Sequence, residues 1–154
     1  MTSNNPPLRM TPRGYPIVRA LAAFPVACFT CALLTDIAYL ETTRVMWVDF
    51  SDWLLAVGMA GGVLAGVAGL FGLAFNRDRG AARPVWPIVL GGVLVLASAL
   101  LDNLVHSRDG WTSVMPFGLL LSVVTVLLML GTAVAAVVTR RRASLDWAYD
   151  GVRP

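Results

Sequence analysis

No lysine occurs in this chain, and charge of either sign is scarce. All twelve basic side chains are arginine; with nine acidic residues, charged positions make up 14% of the 154, against 57% hydrophobic. Soluble domains carry about 25% charged residues. A fold this apolar has too little polar surface to stay dissolved, which excludes a soluble protein and places the chain, as one domain, in the integral membrane class. Cysteine is also scarce. Cys28 and Cys31 are the only two and both lie inside an apolar run, which excludes a disulfide-stapled secreted domain. A single histidine, His106, is present. Buried b-type haem commonly takes two axial ligands, often both histidine, so one is too few for haem held by a single chain. There is no H-E-x-x-H, P-loop, G-x-S-x-G or metal-ligand cluster. No cofactor and no metal are expected.

The stretch that organises the rest is Trp53 to Phe75, WLLAVGMAGGVLAGVAGLFGLAF, which has no charged residue. As a helix it is roughly 34 Å long, enough to cross a hydrocarbon core of about 30 Å. Gly58, Gly62 and Gly66 are spaced four apart and Gly69 continues the row, so one face carries no side chains. In water each Gly costs about 1 kcal/mol against Ala. In lipid the helix persists because its backbone must bond to itself, and the bare face admits a close neighbour. These four glycines are expected to pack helices, and Gly62→Leu is expected to disrupt assembly.

Three further apolar runs predict helices at about 17–40, 84–105 and 115–139, giving an all-α bundle of four transmembrane helices, up-down-up-down, joined by short loops. Residues 1–16 read as a polar, proline-rich tail. The apolar run that follows continues to Leu40, too long for a signal-peptide core of about 7–15 residues, and is therefore an uncleaved first helix. Pro25 lies inside it. Asp49 and Ser51 are plausible caps for the second helix. Residues 140–154 read as a second tail, with an interfacial stretch bearing Trp147 and Tyr149.

The arginines flank these runs rather than lining a polar helix face, so they are topology signals and not a nucleic-acid surface. Arg9, Arg13, Arg19, Arg77, Arg79, Arg83, Arg140, Arg141, Arg142 and Arg153 fall on one side, and only Arg44 and Arg108 on the other. The positive-inside rule then puts both termini in the cytoplasm of a bacterial inner membrane. Trp47, Trp53 and Trp111 form an outer aromatic belt, and Tyr15, Trp86 and Trp147 an inner one.

Two constellations could carry chemistry. Cys28-Phe29-Thr30-Cys31 is a C-x-x-C whose thiols stand at i and i+3 of a helix. A membrane thiol oxidoreductase needs thiolates open to a partner protein, and no cation lies close to these two. Packing is the favoured role for them, as small apolar side chains. Asp36 and Asp102 are the ionisable residues most clearly inside helices, and such residues are functional suspects by default. Asp102 and His106 are i, i+4. Asp36, Asp102 and His106 form a candidate outer polar site for a proton, a cation or a partner's basic patch. The structural reading, which is favoured, is a network pinning the first helix to the third with Asn103, Arg44 or Arg108 as partners.

Phe24-Pro25-Val26-Ala27, with Asp36 nine residues after Ala27, resembles the first helix of the bacterial membrane proteins grouped as domain of unknown function 2231. Trp53 to Phe75, ending Phe71-Gly72-Leu73, is similar to that family's second helix, and Met115-Pro116-Phe117-Gly118 resembles the opening of its fourth. The likeness covers most of residues 16–150. Family members often carry histidines before the first helix, at its Phe-Pro step and at the start of the third; here Tyr15-Pro16, Ala23 and Trp86-Pro87 stand there. If those histidines bind haem or metal in relatives, this chain lacks that ability. Relatives are sometimes found alongside periplasmic redox proteins, so the resemblance implies a redox-associated anchor.

The expected function is therefore a non-catalytic accessory or anchoring subunit, in contact with the lipid bilayer and with a protein partner or further copies of itself. Three alternatives stand beside it: a haem- or quinone-binding redox subunit, a small oligomeric transporter or channel, and a thiol oxidoreductase using Cys28 and Cys31.

Overall fold

A computed structural model describes residues 16–75, 86–107 and 115–150. Among them there are four α-helices and no strand: α1 (Pro16–Thr42), α2 (Met46–Phe75), α3 (Trp86–His106) and α4 (Phe117–Asp150). Each contains a stretch long and apolar enough to cross a membrane, the shortest of 21 residues. A run of this kind has few side chains able to compete for its backbone groups, so the i to i−4 ladder is the only place for them to bond. The threonines follow the same rule. Thr30, Thr42, Thr132 and Thr139 donate to the carbonyl four residues back, at 2.6–2.8 Å.

Two helix ends differ from the sequence expectation. The second helix begins at Met46, not near residue 53, and only residues 43–45 separate it from α1. Thr43 closes α1 by donating its N–H to the Tyr39 carbonyl at 2.7 Å, with a left-handed φ of 52°. Asp49 and Ser51 thus lie within α2 and do not cap it. The fourth helix continues to Asp150, so residues 140–150, expected as a tail, are helical. Residues 1–15 and 151–154 of the expected tails, and the expected second connection at 76–83, lie outside the described residues.

The main contacts run α1 to α2, α2 to α3, α3 to α4 and α4 back to α1, which closes a ring of four. Each helix buries one narrow stripe. On α2 it is Ser51, Leu55 and Gly58, and on α3 it is Val95, Ser98, Ala99, Asp102 and His106. Spacings of three and four keep each stripe on one side of a helix. The apolar core is small: Phe29 and Ala32 of α1, Leu55 of α2, and Val95 and Ala99 of α3. Large apolar side chains cover the outside, including Trp53 at 72% and Phe75 at 81% exposure. That surface suits lipid, which offers no driving force to bury it.

The glycine row packs over only half its length within the chain. A Cβ on Gly58 would stand 2.8 Å from Cys28 Cβ and from the Phe29 ring, and one on Gly62 would stand 2.7 Å from Leu96 Cδ2 and 3.7 Å from Pro25 Cβ. A Cβ on Gly66 or Gly69 meets nothing within 4 Å. Gly61 extends the packed region, its Cβ position lying 2.6 Å from the Phe24 ring. Phe24 and Pro25 are thus seated on the glycine face of α2. Gly91 of α3 is held as tightly, because a Cβ there would overlap the Thr132 side chain of α4. Gly62→Leu is expected to lower bundle stability by about 1–3 kcal/mol, the usual cost of overpacking. Its nearest obstacle is the flexible end of Leu96, so the protein still inserts; unfolding in mixed micelles measures the loss.

Candidate functional site

One turn beyond the apolar core, all four helices turn a polar side chain inward. Asp36 follows Ala32 by one turn on α1, Ser51 precedes Leu55 by one turn on α2, Asp102 and His106 continue the buried stripe of α3, and Ser122 comes from α4. Asp36, Ser51 and Asp102 are fully buried, and His106 and Ser122 are each 2% exposed. The three ionisable residues singled out from the sequence are therefore brought together. They meet buried between the helices, near the end of the bundle where α1 and α3 finish and α2 and α4 start.

Asp36 is the centre. Its Oδ1 accepts from the Ser51 hydroxyl at 2.5 Å and faces His106 Nε2 at 3.0 Å. Its Oδ2 lies 2.5 Å from Ser122 Oγ, which also lies 2.7 Å from Asp102 Oδ2. One carboxyl group thus ties α1 to α2, α3 and α4. His106 Nδ1 stands 3.0 Å from the Asp102 backbone carbonyl and 3.1 Å from Asp102 Oδ1. The second contact has the distance of an ion pair without the alignment of a hydrogen bond, and Asp102 Oδ1 has no hydrogen-bond partner. Thr35 widens the cluster, its hydroxyl lying 2.7 Å from Ser51 Oγ and 2.8 Å from the Ala32 carbonyl. A separate pair, Ser98 and Thr125 at 2.8 Å, joins α3 to α4.

Asp36 is pinned to α3 as the structural reading expects, but through different groups. His106 and two serines hold it, where Asn103, Arg44 or Arg108 were expected. Arg44 is exposed, and Arg108 lies outside the described residues. Ser122 was not singled out from the sequence, and Ser51 only as a helix cap. Their signal is phase: Ser51–Leu55–Gly58 and Gly118–Ser122–Thr125 both repeat at four and three, the spacing of a buried stripe.

The arrangement constrains the chemistry. Both His106 ring nitrogens already face oxygen atoms, so in this geometry neither has a lone pair directed at open space for an axial bond. Among the described residues, no group of three His, Cys, Asp or Glu side chains is placed to hold a metal ion. Cys28 is buried at the α1–α2 contact, whereas Cys31 is exposed on the outer surface of α1, and both are free thiols. The C-x-x-C thus divides between core and surface.

No curated protein and no solved structure matches the chain. One family model does, described as Predicted membrane protein (DUF2231), over residues 14–140. The matched region contains α1, α2 and α3 whole, most of α4, and every residue of the buried cluster. The four apolar helices agree with that description, and the chain belongs to this family of membrane proteins.

Proposed function

We propose that the protein is a non-catalytic subunit of a membrane assembly, accessory or anchoring in role, in the bacterial inner membrane. One observation carries the reading: the interior ionisable side chains Asp36, Asp102 and His106 are engaged with side chains of their own chain from all four helices. Groups used in this way specify one arrangement of helices, the best-attested use of buried polar contacts. They are not presented to a substrate. An up-down-up-down course with both termini cytoplasmic accompanies this reading, supported by ten arginines on one side against two on the other. The cluster then lies toward the outer face. The partner in the bilayer is another protein subunit or further copies of the chain.

Native mass spectrometry of the protein taken from its own membranes in mild detergent tests the proposal. The expected mass exceeds that of the chain by a second polypeptide. A mass equal to one chain overturns the proposal; simple multiples of it leave further copies of the chain as the partner and remove the support for an anchoring role. Added mass matching haem or quinone overturns the reading in favour of a redox subunit.

A further inference from the structure

The buried cluster sets a count of protons. Ser122 Oγ is within hydrogen-bond distance of two carboxyl oxygens, Asp36 Oδ2 at 2.5 Å and Asp102 Oδ2 at 2.7 Å. A hydroxyl has one proton to donate. It satisfies one of these contacts, and the other requires a proton carried by a carboxyl group. His106 gives a second constraint. Nδ1 faces only oxygen acceptors, the Asp102 carbonyl and Oδ1, so it carries hydrogen. The 3.0 Å contact from Nε2 to Asp36 Oδ1 needs one proton as well, on either atom. Relative to two carboxylates and a neutral imidazole, the cluster therefore holds two dissociable protons and no net charge. Neutrality is what an apolar interior demands, since a buried unpaired charge is costly.

We propose that Asp102 is a proton-binding site, holding one proton on Oδ2 that is hydrogen-bonded to Ser122, which in turn donates to an ionised Asp36. The choice between the two carboxyls rests on their donors. Asp36 receives Ser51, His106 and Ser122, a set suited to a carboxylate. Asp102, although fully buried, has fewer: Ser122 at Oδ2 and, at Oδ1, only the misaligned 3.1 Å contact with His106 Nδ1, a set better suited to a neutral acid than to a carboxylate. His106 is then the imidazolium that balances Asp36. Binding transfers one proton from water to Asp102 Oδ2 and takes the cluster from a charge of minus one to zero. Release returns that proton to water, and no other bond changes. Three elements face the site with titratable groups: Asp36 from α1, Asp102 and His106 from α3, and from α2 the half-buried Asp52, within electrostatic reach of His106. Helix α4 contributes the neutral Ser122. The inference does not depend on whether the chain has a partner subunit.

Infrared spectroscopy of the full chain reconstituted in lipid, at neutral pH in H₂O and D₂O, tests it. The wild type is expected to show the carbonyl stretch of a protonated carboxyl group, shifted down in D₂O. Asp52→Asn is expected to keep that band. Asp102→Asn is expected to lose it while folding normally, because the amide N–H replaces the acid proton toward Ser122. A wild-type spectrum containing carboxylates alone overturns the proposal, and so does a band that survives in Asp102→Asn or vanishes in Asp52→Asn. Thermal unfolding gives a second readout. Alkaline pH should lower the wild-type midpoint more than that of Asp102→Asn, in which only the His106–Asp36 pair of the cluster is left to lose a proton; equal shifts in both overturn the assignment.

Discussion

Asp36→Ala is expected to destabilise the folded bundle by about 3–5 kcal/mol, the usual consequence of removing one partner of a buried ion pair. The cause lies in what remains. Asp36 accepts from Ser51 of α2, from His106 of α3 and from Ser122 of α4, so its loss takes an acceptor from three donors at once; Ser51 keeps Thr35 and Ser122 keeps Asp102, but His106 Nε2 keeps no partner. His106 is 2% exposed and then faces an apolar space with its Nε2 unpaired. No other residue of the chain bonds to three neighbouring helices in this way, among those described. Unfolding of the purified protein in mixed micelles, followed by helical circular dichroism, measures the loss. A change below about 1 kcal/mol, the range of exposed pairs, would contradict the burial described for this site.

The same argument makes a second variant informative. Replacing both members of a buried pair by apolar groups of similar volume is often close to neutral, because no polar atom is left without a partner. Asp36→Leu combined with His106→Leu should therefore recover much of what Asp36→Ala loses, although Ser51 and Ser122 still forfeit an acceptor. Recovery would show that Asp36 is required for its bonds and not for its shape. It would also fit the proposed role, in which the cluster selects one arrangement of four helices that apolar packing alone specifies weakly. The apolar core supports that view: apart from Phe29 and Leu55 its members are Ala32, Val95 and Ala99, which are small.

The four helices and the candidate residues Asp36, Asp102 and His106 were legible in the sequence. An uninterrupted apolar run of about 20 residues is costly anywhere but in a bilayer, and an ionisable group inside such a run is costly enough to need partners. The start of α2 was not legible. Met46 to Asp52 is mixed in polarity, and Asp49 and Ser51 carry the chemistry of helix caps. The chain instead continues the helix and spends the Ser51 hydroxyl on Asp36, a tertiary contact that outweighs local capping. Ser122 was equally hidden. Serine and threonine in apolar helices commonly bond back to their own backbone, as Thr30 and Thr132 do here. Only the phase of one helix against another separates those from Ser122, and phase is a property of the packed bundle. The glycine row shows the same limit, since its spacing marks one face but not how far along that face a neighbour extends.

Gly58→Leu is expected to be the most damaging change on the glycine face, with a loss of about 3 kcal/mol or more, at the upper end for overpacking. A Cβ alone would stand 2.8 Å from Cys28 Cβ and from the ring of Phe29, which is 2% exposed and belongs to the core. Neither obstacle is the free end of a flexible chain, so α1 has to move away from α2. Gly58 lies on the same buried stripe as Leu55 and Ser51, and displacing α1 there also stretches the 2.5 Å bond between Ser51 and Asp36 two turns away. The damage thus reaches the polar cluster through a residue that does not touch it. Gly66→Leu is the matched control. Its Cβ meets nothing within 4 Å in the chain, and leucine is the better helix former, so the isolated protein should lose no stability. Unfolding of the two variants side by side in the same micelles measures the difference; equal losses would mean that α2 packs against α1 and α3 with a different face from the one described.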